Sequence, residues 1–259
     1  PVTFRAAGTS LSGQAITDSV LVLLAGNWTG ARVESNGERI ALEPGVIGSR
    51  ANDILKPFGR KIGPDPASIN SAMIGGIAAN NASGMCCGVD FNSYRTLHSI
   101  RIILADGHLL NTNDPESCER FRRTHRELLD SLASLAYQVY SNTELSDRIK
   151  HKYQIKNTTG YSLNALVDYH DPLEILQHLM IGSEGTLGFI SEITYRTIPD
   201  PAHKGTALVL FPDIVSACSV VTELKRQKID AVELFDRSSL QAIEDQPTSA
   251  NAVLAVGHP

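Results

Sequence analysis

The spacing of apolar residues changes period along the chain, and each change marks an element. Residues 2–5 read as a short extended stretch. Residues 20–24 form a continuous apolar run that predicts a buried strand, and residues 39–42 predict another. Residues 45–48 lead into a helix expected to end near Phe58 and Gly59. Residues 99–104 and 109–111 flank Asp106-Gly107, a turn signal that predicts an antiparallel hairpin. Behind Asp114-Pro115, residues Phe121, Leu128, Leu132, Leu135 and Val139 recur at helical spacing and predict one long helix over 115–140. A strand at 189–198 stops at Pro199-Asp200-Pro201, a natural boundary. Beyond it, strand 208–211, helix 214–226, strand 231–235, helix 237–243 and an extended stretch at 253–256 read as the start of an α/β layer. No fixed-period repeat interrupts this order.

Between these elements lie three segments of small residues, 6–14, 68–88 and 182–188. A dinucleotide diphosphate is doubly charged. A protein holds it without many cations by directing several backbone N–H groups at its oxygens, and that close approach requires small side chains. One such loop is more often a plain turn, whereas three in one chain favour a nucleotide. Gly8 and Gly13 do not make G-x-G-x-x-G, and no G-x-x-x-x-G-K-[ST] occurs, which disfavours Rossmann and P-loop enzymes. H-E-x-x-H and G-x-S-x-G are missing too, and the eight histidines lack metal-ligand spacing, so hydrolase and metal-site readings have little support.

Composition narrows the class further. With 42% hydrophobic and 20% charged residues the chain is a soluble globular type, and its longest apolar run, 20–25, is too short to span a bilayer. A net charge of −5 gives no electrostatic case for nucleic acid as a partner. Cys86, Cys87, Cys118 and Cys218 show no C-x-x-C spacing, which favours a reducing compartment, and the adjacent Cys86-Cys87 are expected to be small buried packing residues. The basic stretch 148–156 reads as a solvated face, with a nearby phosphate or carboxylate as the sharper alternative.

Four segments stand in order: Arg5-Ala6-Ala7-Gly8-Thr9-Ser10-Leu11-Ser12-Gly13-Gln14, Pro64-Asp65-Pro66-Ala67-Ser68, Gly75-Gly76-Ile77-Ala78-Ala79-Asn80-Asn81-Ala82-Ser83-Gly84 and Ile181-Gly182-Ser183-Glu184-Gly185-Thr186-Leu187-Gly188. Together they resemble the FAD-linked oxidases of the vanillyl-alcohol oxidase and p-cresol methylhydroxylase (PCMH) superfamily. The resemblance covers residues 1–200 and is nearest to the branch of D-lactate dehydrogenases, D-2-hydroxyglutarate dehydrogenases and the glycolate oxidase flavin subunit. It implies an α+β, PCMH-type FAD-binding fold of two subdomains over 1–200, followed from 201 by the start of a truncated α/β substrate domain. By the same resemblance Ala6, Ala7, Gly8, Thr9 and Ser10 wrap the FAD diphosphate, with Gly13 and Gln14 close by. Pro64, Asp65, Ser68, Gly76, Asn81, Ser83 and Gly84 would lie at the diphosphate, ribose and ring. Glu184, Gly185, Gly188 and Ile190 match positions near flavin or adenine, Glu184 as a structural or hydrogen-bonding acid. For Asp65 a turn role, with its carboxylate toward backbone N–H groups, is the alternative.

Relatives with covalent flavin carry His where this chain has Thr9, so the resemblance implies non-covalent FAD. It also implies oxidation of a D-2-hydroxy acid such as D-lactate to the 2-oxo acid. Electrons would pass to a quinone, a cytochrome or an attached iron–sulfur domain, in a protein that is cytoplasmic or peripheral at the inner membrane. The base and carboxylate clamp are expected beyond Pro259, the chain reading as a fragment. Two departures stand out: Ala6-Ala7 where many relatives have glycines, and Tyr94-Arg95 where many have Tyr-Gly. Arg95 could pair with phosphate, hold an acidic substrate or sit on the surface. An alcohol or phenol oxidase, a flavin reductase of the same fold and a non-catalytic nucleotide-binding module are the other readings.

Overall fold

The computed structural model describes residues 2–224, 226–227 and 229–244. The chain divides into two compact units, Pro1–His203 and Lys204–Pro259. In the first, the strands are β1 Val2–Arg5, β2 Val20–Leu23, β3 Ala31–Glu34, β4 Arg39–Leu42, β5 Arg60–Lys61, β6 Leu97–Ile103, β7 Leu109–Asn111, β8 Phe189–Arg196 and β9 Ile198–Pro199. The helices are α1 Gly48–Leu55, α2 Ile74–Asn80, α3 Ser93–Thr96, α4 Pro115–Thr124, α5 Arg126–Ser141, α6 Thr143–Lys152, α7 Ala165–Asp168 and α8 Pro172–Met180. Helices and a mainly antiparallel sheet in one unit make this the α+β class expected from the sequence.

The main sheet has the order β3-β4-β8-β6-β7, with every neighbouring pair antiparallel. β8 is its centre. Ile193 and Tyr195, fully enclosed, pair with Leu42 and Ile40 of β4 on one side and with Ile100 and Leu97 of β6 on the other. Each such apolar side chain contributes roughly 1.5–3 kcal/mol by leaving water. α8 packs in the same core with Leu173, Ile175, Leu176, Leu179 and Met180 all buried. Asp171 starts that helix by accepting from Leu173 N, and Pro172 occupies the first turn where no N–H is needed. β1 and β2 form a separate parallel pair, and β5 pairs antiparallel with β9.

Three expectations need correction. The helix over 115–140 is two helices, because His125 leaves helical geometry at φ −121° and ψ 35°. Its ring stacks on Phe121 at 4.1 Å, and its Nε2 lies 2.8 Å from Asp106 Oδ2 in the β6–β7 turn, so a tie to the hairpin draws the backbone out of the helix. β2 is a strand but not a buried one: Val20, Leu21 and Leu23 are exposed and only the following Leu24 is buried. A two-stranded sheet has too little surface to cover both faces. In the second unit, α9 Ile214–Leu224 and α10 Arg237–Glu244 form as expected, but 208–211 and 231–235 are not strands. An apolar run becomes a strand only through ladder partners, and these two have none among the described residues. The extended stretch expected at 253–256 lies outside the described residues.

No helix among the described residues is long and apolar enough to cross a membrane. Cys86, Cys87, Cys118 and Cys218 are free thiols.

Candidate functional site

β1 ends at Arg5, and the chain then runs through Ala6, Ala7, Gly8, Thr9 and Ser10 without joining any ladder. Among the described residues, no protein acceptor takes the backbone N–H of any of these five. Gly8 sits at φ +67°, and a Cβ there would lie 2.5 Å from Arg5 Nε, so the turn combines left-handed backbone with close contact to the guanidinium. The result is a run of uncommitted donors with almost no side-chain bulk, the property an anionic diphosphate requires.

The second and third segments are bonded to each other. Gly182 N donates to Ala78 O at 3.2 Å and Glu184 N to Ala79 O at 2.9 Å, which satisfies carbonyls at the end of α2. Asn80 Nδ2 donates to Glu184 Oε1. Glu184 is held at φ +54°, a conformation that costs a non-glycine residue about 1 kcal/mol or more and persists because these bonds fix it.

All three segments meet at one cleft of about 200 Å³. Of the residues expected at the cofactor, Ala6, Ala7, Gly8, Thr9, Ser10, Gln14, Ser68, Gly76, Glu184, Gly185, Gly188 and Ile190 line it. Phe4 and Phe189 stack at 4.3 Å and, with Leu24, Pro44 and Ile77, give it an apolar side. Gly13, Pro64, Asp65, Asn81, Ser83 and Gly84 do not line this cleft. A Cβ on Gly84 would fall on the Asp65 carbonyl oxygen, so these two meet through close backbone packing. The Asp65 carboxylate accepts no N–H among the described residues, contrary to the turn role considered for it. Asn81 accepts from Tyr94 N at 3.2 Å and closes α2 in the left-handed conformation.

Several wall residues carried no readable signal. Phe4 and Phe189 come together only through the long-range fold, and Asn80, whose pairing with Glu184 joins two of the segments, carries no local signal that sets it apart from Asn81.

A polar cluster stands beside the end of α2. Tyr94 Oη donates to Asp168 Oδ2 at 2.9 Å, Asn164 Nδ2 donates to the same oxygen at 3.1 Å, and Arg95 Nη1 lies 3.7 Å from it. Burial, reinforced by the Asp168 charge, raises the Tyr94 pKa far above its ordinary value, so the phenol stays protonated. His178 is buried between Tyr169, stacked at 4.0 Å, and the edge of Tyr94, and its Nδ1 donates to Glu174 O at 2.7 Å. Burial pushes the His178 pKa down to about 4, which keeps the ring neutral.

Comparison with known proteins places this geometry. Residues 1–113 match the FAD binding domain, and residues 200–257 match the C-terminal domain of FAD linked oxidases. The chain carries, in order, the FAD binding domain and the C-terminal domain of FAD linked oxidases, and FAD is its cofactor. The chain is 26% identical over 266 residues to the glycolate oxidase subunit GlcD of Bacillus subtilis, covering 99% of the chain and 46% of that protein. It is 25% identical to a D-lactate dehydrogenase of Archaeoglobus fulgidus, over 93% of the chain and 43% of the relative. It is 29% identical to a D-2-hydroxyglutarate dehydrogenase of Escherichia coli K12, over 91% of the chain and 23% of the relative. The chain thus spans less than half the length of these relatives. A solved structure of alkyldihydroxyacetonephosphate synthase superposes with a TM-score of 0.61 at 15% identity, covering 98% of the chain and 39% of that one, a likeness of fold. The uncommitted N–H groups of 6–10 and the bare wall at Gly76 fit a flavin dinucleotide. At about 200 Å³ the cleft is smaller than the roughly 300–1,000 Å³ of pockets that enclose whole ligands.

Proposed function

We propose that this chain is part of an FAD-linked oxidase that oxidises a D-2-hydroxy acid, such as D-lactate, to the corresponding 2-oxo acid. The observation that carries the reading is the convergence of three small-residue segments on one cleft, five consecutive backbone donors among them. The names of the relatives, which include D-lactate and D-2-hydroxyglutarate dehydrogenases, supply the substrate class. Bound FAD supplies hydride acceptance. The chain's own part is to hold it: the N–H groups of Ala6 to Ser10 on the diphosphate, Gly76 and Gly185 leaving space beside it, and Phe4, Phe189 and Ile190 keeping water from one side. In this reading residues 1–200 are the FAD-binding domain, and residues from 201 begin a substrate domain that supplies base and carboxylate clamp. FAD is held without a covalent bond. Electrons leave for a quinone, a cytochrome or an iron–sulfur domain.

The test is spectroscopic. Purified chain mixed with FAD should take up flavin and show its absorption bands. A protein carrying the complete C-terminal domain should then be bleached anaerobically by one or more D-2-hydroxy acids and not by their L forms. Failure to take up flavin would overturn the cofactor site, and flavin uptake without bleaching by any D-2-hydroxy acid would overturn the substrate class.

A further inference from the structure

Arg95, where many similar proteins place glycine, opens onto a second and smaller pocket of about 20 Å³, large enough for a single water. Its wall includes Asn81, Asn92, Arg95, Asn157 and Asn164, together with Tyr153 and Ile155 from the basic stretch 148–156. Asn80 lines the larger cleft and Asn81 lines this one, so the two cavities flank consecutive residues at the end of α2.

The hydrogen bonds around this pocket fix what it presents. Asn81 Oδ1 accepts from Tyr94 N at 3.2 Å, Asn92 Oδ1 from Arg95 N at 2.9 Å, and Asn157 Oδ1 from Thr159 N at 3.2 Å. A backbone N–H requires the oxygen end of each amide, so each Nδ2 is left as the outward donor, and none of the three has a protein acceptor among the described residues. The Tyr153 hydroxyl is already engaged, donating to Tyr161 O at 2.7 Å and accepting from Leu163 N at 3.0 Å. Arg95 offers five N–H donors and is half exposed, and among the described residues its ion-pair partner is Asp168 at 3.7 Å. That Asp168 oxygen also receives Tyr94 Oη and Asn164 Nδ2, which disperses its charge. The wall is therefore rich in donors. Against them stands one buried acceptor, Asn164 Oδ1, which has no partner.

We propose that this pocket is a carboxylate site: Arg95 and the amides of Asn81, Asn92 and Asn157 hold the anionic end of a small carboxylic acid at its mouth. A water inside gives one hydrogen to Asn164 Oδ1 and the other to the carboxylate, which converts the one buried acceptor into a further donor. A direct carboxylate contact with Asn164 Oδ1 would set two acceptors against each other, and the volume admits the water and not the acid. The proposal stands apart from the redox reading, since it rests on none of the residues of the larger cleft.

Acetate and succinate, titrated against chloride at constant ionic strength, are the probes, followed by the side-chain amide resonances of the 15N-labelled protein. Saturable shifts of the Asn81, Asn92 and Asn157 amides are expected, with affinity weakened about tenfold or more in Arg95→Gln. Asn157→Ala, on a loop, should weaken binding less and leave folding intact. Shifts that never saturate, or saturation unchanged in Arg95→Gln, would overturn the site. FAD uptake is measured on the same samples. Acetate binding without FAD uptake would sink the cofactor assignment and spare this one, and FAD uptake without acetate binding would do the reverse.

Discussion

Asn80 Nδ2 donates to Glu184 Oε1 at 2.5 Å across 104 positions of sequence, and through that bond α2 and the 182–188 loop hold a fixed spacing at the cleft. Glu184→Ala removes the acceptor and leaves the strained backbone in place. A hydrogen bond to a charged group contributes about 1.5–3 kcal/mol, so FAD affinity should fall by about tenfold or more, read by flavin fluorescence titration. Glu184→Gln keeps an acceptor oxygen and should recover most of the loss. Equal affinities for wild type and Glu184→Ala would show that the bond does not shape the site.

Gly76 and Gly84 should respond in opposite ways to alanine. A Cβ at Gly76 meets only Ala6 Cβ at 3.6 Å, ordinary contact, and Gly76 lies within α2. Gly76→Ala should therefore stabilise the fold by about 0.5–1 kcal/mol while placing a methyl in the cleft and weakening FAD. Gly84→Ala collides with the Asp65 carbonyl and should cost about 1–3 kcal/mol. Urea denaturation of both variants checks the signs, and a stable Gly84→Ala would contradict the backbone contact.

His178, with its pKa lowered by burial to about 4, makes stability depend on acid. An unfolded chain binds a proton on this ring near pH 6.5, so the unfolded state carries more protons between those two values. Stability from this group is complete above about 6.5 and declines as pH falls toward 4, by up to about 3 kcal/mol. His178→Asn removes that part of the slope. The stability gap between wild type and variant should narrow from about pH 7 to about pH 5, and a constant gap would remove His178 as the cause.

Thr9 lines the cleft, and by the sequence resemblance it stands where covalent relatives carry a histidine. Acid precipitation of FAD-loaded protein should leave all flavin in the supernatant, and yellow colour remaining in the pellet after washing would contradict a dissociable cofactor.

What could be read in advance followed from local constraint. Gly8, Gly76, Gly185 and Gly188 stand where main chain lines a cleft, and that demand is written into composition. The hairpin around Asp106-Gly107 was equally legible, since turn and strands are neighbours. α8 was not, because all of Leu173 to Met180 except Glu174 is buried and leaves no polar stripe to mark a period. The break at His125 depends on Asp106, 19 positions earlier, and the helical spacing runs through it undisturbed. At 208–211 the reverse held: residues with strand character stay irregular without neighbours. The pairing of Asn80 with Glu184 and the stacking of Phe4 on Phe189 are products of the finished fold.

Among the described residues the main chain from Ala6 to Ser10 finds no acceptor for its five hydrogens. In the proposed site, arriving flavin would complete that stretch as a missing strand completes a sheet, making cofactor loading and the finishing of the fold partly one event. Protein stored without FAD should be nicked by proteases first along this stretch, and loaded protein should resist there by a margin that grows with free FAD.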